Sequence, residues 1–147
     1  MRTLDYDDVP DQPWRNGGGT TRELHRDERW RLSIATIRAA GRFSAFPGVE
    51  RTFTVARGTL VLTVAGTAHR LLPGDLLEFA GEDEVRAAPD GEVTAVNVMT
   101  TRPHRARVRV GVPGAAEAFV DLTTLQTFFA VAPGDVTAQG VVVEGIT

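Results

Sequence analysis

Short runs that alternate apolar with polar residues, repeatedly cut by glycine or proline, fill this chain, and nowhere does a 3.6-residue period persist long enough for an extended helix. Valine and threonine are abundant within the runs, and β-branched side chains suit a pleated surface. The pattern therefore specifies an all-β protein. From Trp30 to Ile37 it places Trp30, Leu32 and Ile34 on one face and Arg31, Ser33 and Ala35 on the other. Further strands are expected over residues 51–56 and 59–65, separated at Arg57-Gly58, and over 68–72, 76–79, 85–88, 93–100 and 104–110. Turns are expected at Ala65-Gly66-Thr67, at Pro73-Gly74-Asp75 and at Pro89-Asp90-Gly91-Glu92. A second Pro-Gly-Asp at 133–135 precedes Val141-Val142-Val143 and suggests that the C-terminal third echoes the earlier strand-turn-strand unit. Residues 115–119 are the best place for a single helical turn. Such spacing makes a sandwich or barrel. At 147 residues the chain is expected to form one domain spanning 1–147.

The charged residues exclude several chemistries. All 16 basic residues are arginine, so a lysine Schiff base, a lysine general base and a P-loop are ruled out. Cysteine is absent, which removes disulfides, thiolate nucleophiles and Cys-ligated zinc. A formal charge of −3 gives no electrostatic reason to expect nucleic acid or an anionic membrane as partner. The alternating Arg105, Arg107 and Arg109 fit a solvated or edge-protecting face. No secretion signal or membrane-length apolar run is present, and a cytoplasmic location is expected.

Three successive glycines, Gly17-Gly18-Gly19, stand between Trp14-Arg15-Asn16 and Thr20-Thr21-Arg22-Glu23. Such a loop either wraps a pocket and offers N–H groups to an anion, or is simply a flexible turn before the first core strand. It lacks the spacing of a dinucleotide fingerprint. His25, His69 and His104 are too far apart in sequence for two imidazoles to share one strand face, so a three-histidine metal site is not expected. Among carboxylates, Glu23 and Glu78 have the apolar or glycine-rich neighbours that favour a functional environment, whereas Glu82-Asp83-Glu84 reads as a solvated tip. Asn97 and Met99 share a face of their strand. If that face is interior, the Asn97 amide needs a partner, either a ligand or neighbouring backbone. Arg51 shares a face with Phe53 and Val55 and is either an inward-facing carboxylate receptor or a strand-end surface residue.

Four blocks, namely residues 13–24, 30–35, 41–51 and Asn97-Val98-Met99-Thr100, in that order, closely resemble the HutD/Ves family. The likeness runs from about Leu4 to Arg109. It implies a cupin-type double-stranded β-helix, or jelly-roll barrel, arranged like a bicupin with a shortened second half. The first half would be about 1–103 and the second about 104–147. It also implies a metal-free protein without a cofactor, associated with histidine utilisation, that binds a carboxylated metabolite of the urocanate or formylglutamate type. The matching positions implied to line the barrel mouth are Trp14, Asn16, Gly18, Thr20, Glu23, Ser33, Phe46, Arg51, Asn97 and Met99. Trp14 and Phe46 would wall a planar ligand, Arg51 would take its carboxylate, Ser33 and Asn97 would donate, and Glu23 would accept. The rival expectation is a metal-independent isomerase, epimerase or hydrolase with Glu23 as general base. Ala95 stands where the family usually carries an acid, so a function resting on that carboxylate is not carried over. A shortened second half would expose sheet edges, and a homodimer is one way to cover them.

Overall fold

The computed structural model describes residues 1–147. Its strands are β1 (Arg2–Leu4), β2 (Asp11–Pro13), β3 (Gly19–Arg26), β4 (Trp30–Ile37), β5 (Gly41–Arg42), β6 (Val49–Val64), β7 (Thr67–Leu71), β8 (Leu76–Ala80), β9 (Val85–Thr101), β10 (Arg107–Gly111), β11 (Ala116–Asp121), β12 (Thr127–Val131) and β13 (Gly140–Glu144). One 3-10 turn, Tyr6–Asp8, is the only helical element. Residues 115–119, expected as a helical turn, lie mainly in β11, where pairing with β12 and β13 overrides the local preference of alanine.

Two sheets result. The larger has eight strands in the order β2-β3-β4-β9-β6-β7, with β5 joined to β9 and β8 to β6; the smaller runs β1-β12-β11-β13-β10. Neither closes on itself in this pairing order. Strands β10 to β13, all beyond residue 103, form the smaller sheet together with β1, which pairs with β12 and so brings the N-terminus into it.

The long strands β6 and β9 shape the larger sheet. Two expected interruptions, at Arg57-Gly58 and at Pro89–Glu92, are instead continuous strand in β6 and β9. They fall opposite one another, at register shifts between Val55, Arg57 and Thr59. Gly58 has φ +82° and Gly91 φ +75°, so both strands bend there without ending. A side chain at Gly58 would come within 2.5 Å of the Glu92 carbonyl oxygen. Turn chemistry therefore makes a paired bulge. The sheet folds over at this line and gathers Ile37, Phe53, Val55, Leu60, Leu62, Val85 and Val93 into a core on its inner face.

Its outer face carries Trp30, Leu32, Ile34, Val96 and Val98 against Ala118, Val120, Phe129, Val141 and Val143 of the smaller sheet. The far side of the smaller sheet has its own small core around Phe119, Val131 and Val142. Ala65 and Gly66, both at positive φ, make the two-residue turn between β7 and β6. The two Pro-Gly-Asp turns share one geometry. Asp75 Oδ2 accepts from the Leu72 N–H and Asp135 Oδ2 from the Ala132 N–H, each at 2.9 Å, with Gly74 and Gly134 near φ +90°.

Candidate functional site

Strand register brings the polar residues of the inner face into two rows. Arg31 of β4 and Arg51 of β6 both pair with Met99 of β9, and Arg51 also pairs with Phe79 of β8. In the next row Glu23, Ser33, Asn97 and Phe53 lie side by side across β3, β4, β9 and β6. Because side chains alternate along a strand, both rows face one cavity of about 420 Å³ above the inner core.

Eight of the ten expected positions line this cavity: Trp14, Asn16, Glu23, Ser33, Phe46, Arg51, Asn97 and Met99. Gly18 and Thr20 do not. Thr21 and Glu23 project into the cavity from β3, which leaves Thr20 with the opposite parity. Gly18 is consumed in the loop itself. Its N–H donates to Asn16 Oδ1 at 2.8 Å, and its carbonyl accepts from the N–H groups of Arg38 and Ala39. The Gly17 N–H donates to the Trp14 carbonyl. These glycines thus provide no open anion nest. Gly19 instead permits close packing: a Cβ there would lie 2.3 Å from the Thr36 carbonyl oxygen and 3.1 Å from the Trp14 ring. The ring is then fixed by Trp14 Nε1 donating to Thr21 Oγ1 at 2.7 Å and by edge-on contact with Phe43, at 5.9 Å between centroids.

Arg51 faces inward and is 6% exposed. No carboxylate pairs with it. Its guanidinium carbon lies 5.0 Å from the ring centre of Phe79, 5.2 Å from Phe46 and 5.5 Å from Phe43. Its one protein hydrogen bond runs from Nη1 to the Ser44 carbonyl at 3.4 Å, and Nε has no partner. Burial, followed by repulsion from Arg31, pulls its pKa down to about 10, which still leaves it charged at neutral pH. The rings offset part of the desolvation through cation–π attraction. They cannot replace a bidentate anion. Beside it Asn97, also 6% exposed, has Oδ1 without a partner.

Glu23 behaves differently from a general base. Oε1 accepts from Arg26 Nε at 2.5 Å and from Arg31 Nε at 3.2 Å. Partial desolvation pushes its carboxyl up, but the hydrogen bond and charge of Arg26, and then Arg31, outweigh it and hold Glu23 below the usual carboxylate range. A poised base needs the opposite shift. Glu78 is exposed and does not enter this cavity.

Arg15, Arg31 and Arg42 join Arg51 in the lining, so four arginines face one glutamate. Arg31, Phe43 and Ser44 were absent from the positions implied by resemblance. The alternation of β4 puts Arg31 on the same face as Ser33, and this signal was available in the sequence. Phe43 and Ser44 come from irregular backbone at 43–48, where no period reveals orientation.

A second cavity, about 530 Å³, lies on the opposite face of the same strands, where Glu50, Thr52, Glu78, Val98 and Thr100 meet Ala106 and Val108. The histidines remain dispersed: His25 packs on Trp30 at 4.5 Å and bonds Asp27, His69 lies on β7, and His104 Nδ1 bonds the Thr147 carbonyl oxygen. No three of His, Asp and Glu converge. A divalent ion of the kind many cupins hold does not fit the first cavity, where Arg51, Asn97, Ser33 and Met99 occupy the inner wall.

A family model described as HutD matches residues 6–144. An uncharacterised 21.2 kDa protein of Pseudomonas putida, from the hutC 3′ region, is 35% identical over 95% of this chain and 79% of its own length. Protein Ves of Citrobacter koseri is 40% identical over 75% of this chain, which spans 63% of that relative. The structure of HutD from Pseudomonas fluorescens SBW25, in a formate condition, superposes with a TM-score of 0.80 at 29% identity, covering 97% of this chain and 96% of that one. A cupin domain from an Enterobacter cloacae transcriptional regulator matches 56% of this chain and 96% of its own at a TM-score of 0.52 and 16% identity. The fold is therefore cupin-like.

Proposed function

The chain belongs to the HutD family, and from that premise we propose that it binds a small carboxylated metabolite in the Arg51 cavity and acts as a cytoplasmic sensor or modulator of amino-acid catabolism. The observation that carries this reading is Arg51: a buried guanidinium, ringed by three phenylalanines and unpaired with any protein carboxylate. Burying an unpartnered charge costs on the order of several kcal/mol, a cost that an incoming carboxylate offsets by bidentate pairing. A planar ligand body suits the aromatic walls of Trp14, Phe43 and Phe46, and a cavity near 420 Å³ accommodates a molecule of metabolite size. The unpartnered Asn97 oxygen favours a ligand that also carries an N–H or O–H donor. Urocanate, planar with a carboxylate and an imidazole N–H, meets all three requirements. Formylglutamate supplies carboxylates and an amide N–H without the planar body, and the relative from the hutC 3′ region supports a hut-associated setting.

Glu23, held in an ion pair with Arg26 and Arg31, gives no support to the enzyme alternative. The test is calorimetric titration with formate, urocanate, formylglutamate, histidine and glutamate. Saturable binding of at least one carboxylate that Arg51→Ala weakens by about 2–5 kcal/mol supports the proposal. Heat from none of them opposes it.

A further inference from the structure

The irregular strap of residues 43–48 supplies two of the three rings around Arg51 and the Ser44 carbonyl that accepts from it. Something must hold this strap in place, because its own backbone belongs to no sheet. Its middle is seated by Phe46 N–H donating to the Gly81 carbonyl at 2.8 Å. Its end is held by a residue that never enters the cavity.

Arg102 lies in the turn immediately after β9, outside the Arg51 cavity. Its Nη1 and Nη2 form a two-pronged pair with Glu82, at 2.8 and 2.6 Å. Its Nε donates to Glu50 Oε1 at 2.6 Å, and Nη2 reaches the Val49 carbonyl at 3.1 Å. Both polar backbone groups of Gly48 end in the same network: its N–H donates to Glu82 Oε2 at 2.9 Å and its carbonyl accepts from the Arg102 N–H at 2.9 Å. The guanidinium thus joins the β8–β9 turn to the start of β6 and reaches the strap through Glu82, which accepts from the Gly48 N–H, while the backbone N–H of Arg102 holds the Gly48 carbonyl independently of the side chain. Exposed ion pairs add little to global stability, but a fork with four acceptors fixes relative position.

We propose that Arg102, clamped on Glu82, is the positioning residue that holds strap 43–48 closed over Arg51 and thereby sets the affinity of the cavity for a carboxylate. The affinity consequence rests on the function proposed above; the positional claim does not. When the clamp opens, Phe46 and Ser44 leave the guanidinium, which becomes hydrated and loses the enclosed environment that strengthens an ion pair. A lysine at this position keeps the charge but lacks the fork.

The experiment uses the intact chain carrying Arg102→Ala, Arg102→Lys or Glu82→Gln, and the double variant Arg102→Ala/Phe46→Ala. Amide exchange read by mass spectrometry is expected to rise about tenfold or more over 43–48 in Arg102→Ala while β4 and β13 keep their protection, the sign of a local opening. Phenylglyoxal should modify Arg51 at least several-fold faster in Arg102→Ala and Glu82→Gln, with Arg102→Lys resembling the alanine variant. If urocanate or formate binds the parent protein, Arg102→Ala should weaken it, and this loss should shrink sharply in the Phe46→Ala background, because both changes act through the strap. Unchanged exchange over 43–48 together with unchanged Arg51 labelling overturns the proposal. So does a uniform rise in exchange across both sheets, which marks a merely structural role. Absence of carboxylate binding in the parent protein defeats the proposed function alone, since exchange and labelling still decide the clamp.

Discussion

Arg31 and Arg51 stand on either side of Met99 in adjacent strands, so two guanidinium groups share one wall with no carboxylate between them. Their repulsion adds to burial in lowering the Arg51 pKa. The arrangement is unfavourable for the empty protein and favourable for an anion. Replacing Arg51 by methionine should therefore separate stability from binding. Carboxylate titration should vanish, while thermal melting rises by about 2–4 °C for each kcal/mol of desolvation relieved. A fall in melting temperature would show that Arg51 is held for structural reasons.

Glu23→Gln tests whether Glu23 touches the ligand or only engages Arg31. Removing this carboxylate frees Arg31, which Glu23 now engages at 3.2 Å. Affinity for a carboxylated ligand should hold or increase by less than about tenfold, the scale of one partly exposed ion pair. A loss of binding measured by calorimetry would instead make Glu23 a ligand contact.

The glycine loop gives a steric prediction. Gly19→Ala places a methyl group against the Thr36 carbonyl and the Trp14 ring, and it should destabilise by roughly 1–3 kcal/mol and alter Trp14 fluorescence. Gly17 has open space but φ +72°, so Gly17→Ala should cost only about 1 kcal/mol through backbone strain. Urea unfolding of both variants tests this order.

Acid should weaken the Arg102 clamp. Hydrogen bonds from Arg102, and then from the Gly48 N–H, lower the Glu82 pKa from 4.5 to about 2. A depressed carboxylate pKa stabilises the folded state fully above pH 4.5 and loses that contribution as pH falls through about 2. Between those values, stability in Glu82→Gln should depend less steeply on pH than in the parent protein. Parallel curves in a pH series of urea melts would exclude the linkage.

Particular residues show how far the sequence could be read. The alternation from Trp30 to Ile37 separated the sides correctly: Trp30, Leu32 and Ile34 meet the second sheet, and Arg31, Ser33 and Ala35 face the cavity. That signal works because a strand buried on both faces still presents two chemically different environments. Arg57-Gly58 and Pro89–Glu92 carry genuine turn chemistry, but whether such a site ends a strand or bends it depends on what lies opposite. There the two meet as a bulge. Thr20 was implied by family likeness, although strand parity with Thr21 and Glu23 argues against it. The clamp between Glu82 and Arg102 lay beyond sequence reading, because an acidic loop reveals nothing of a partner 20 residues away.

The Arg51 guanidinium offers the most direct measurement. Proton–nitrogen NMR of arginine-labelled protein should show the Arg51 Nε–H moving downfield, in a saturable way, as urocanate or formate is added, and Arg51→Met should remove both that resonance and the binding. A carboxylate that binds while the Arg51 signal stays fixed, or that binds equally well to Arg51→Met, would contradict the account.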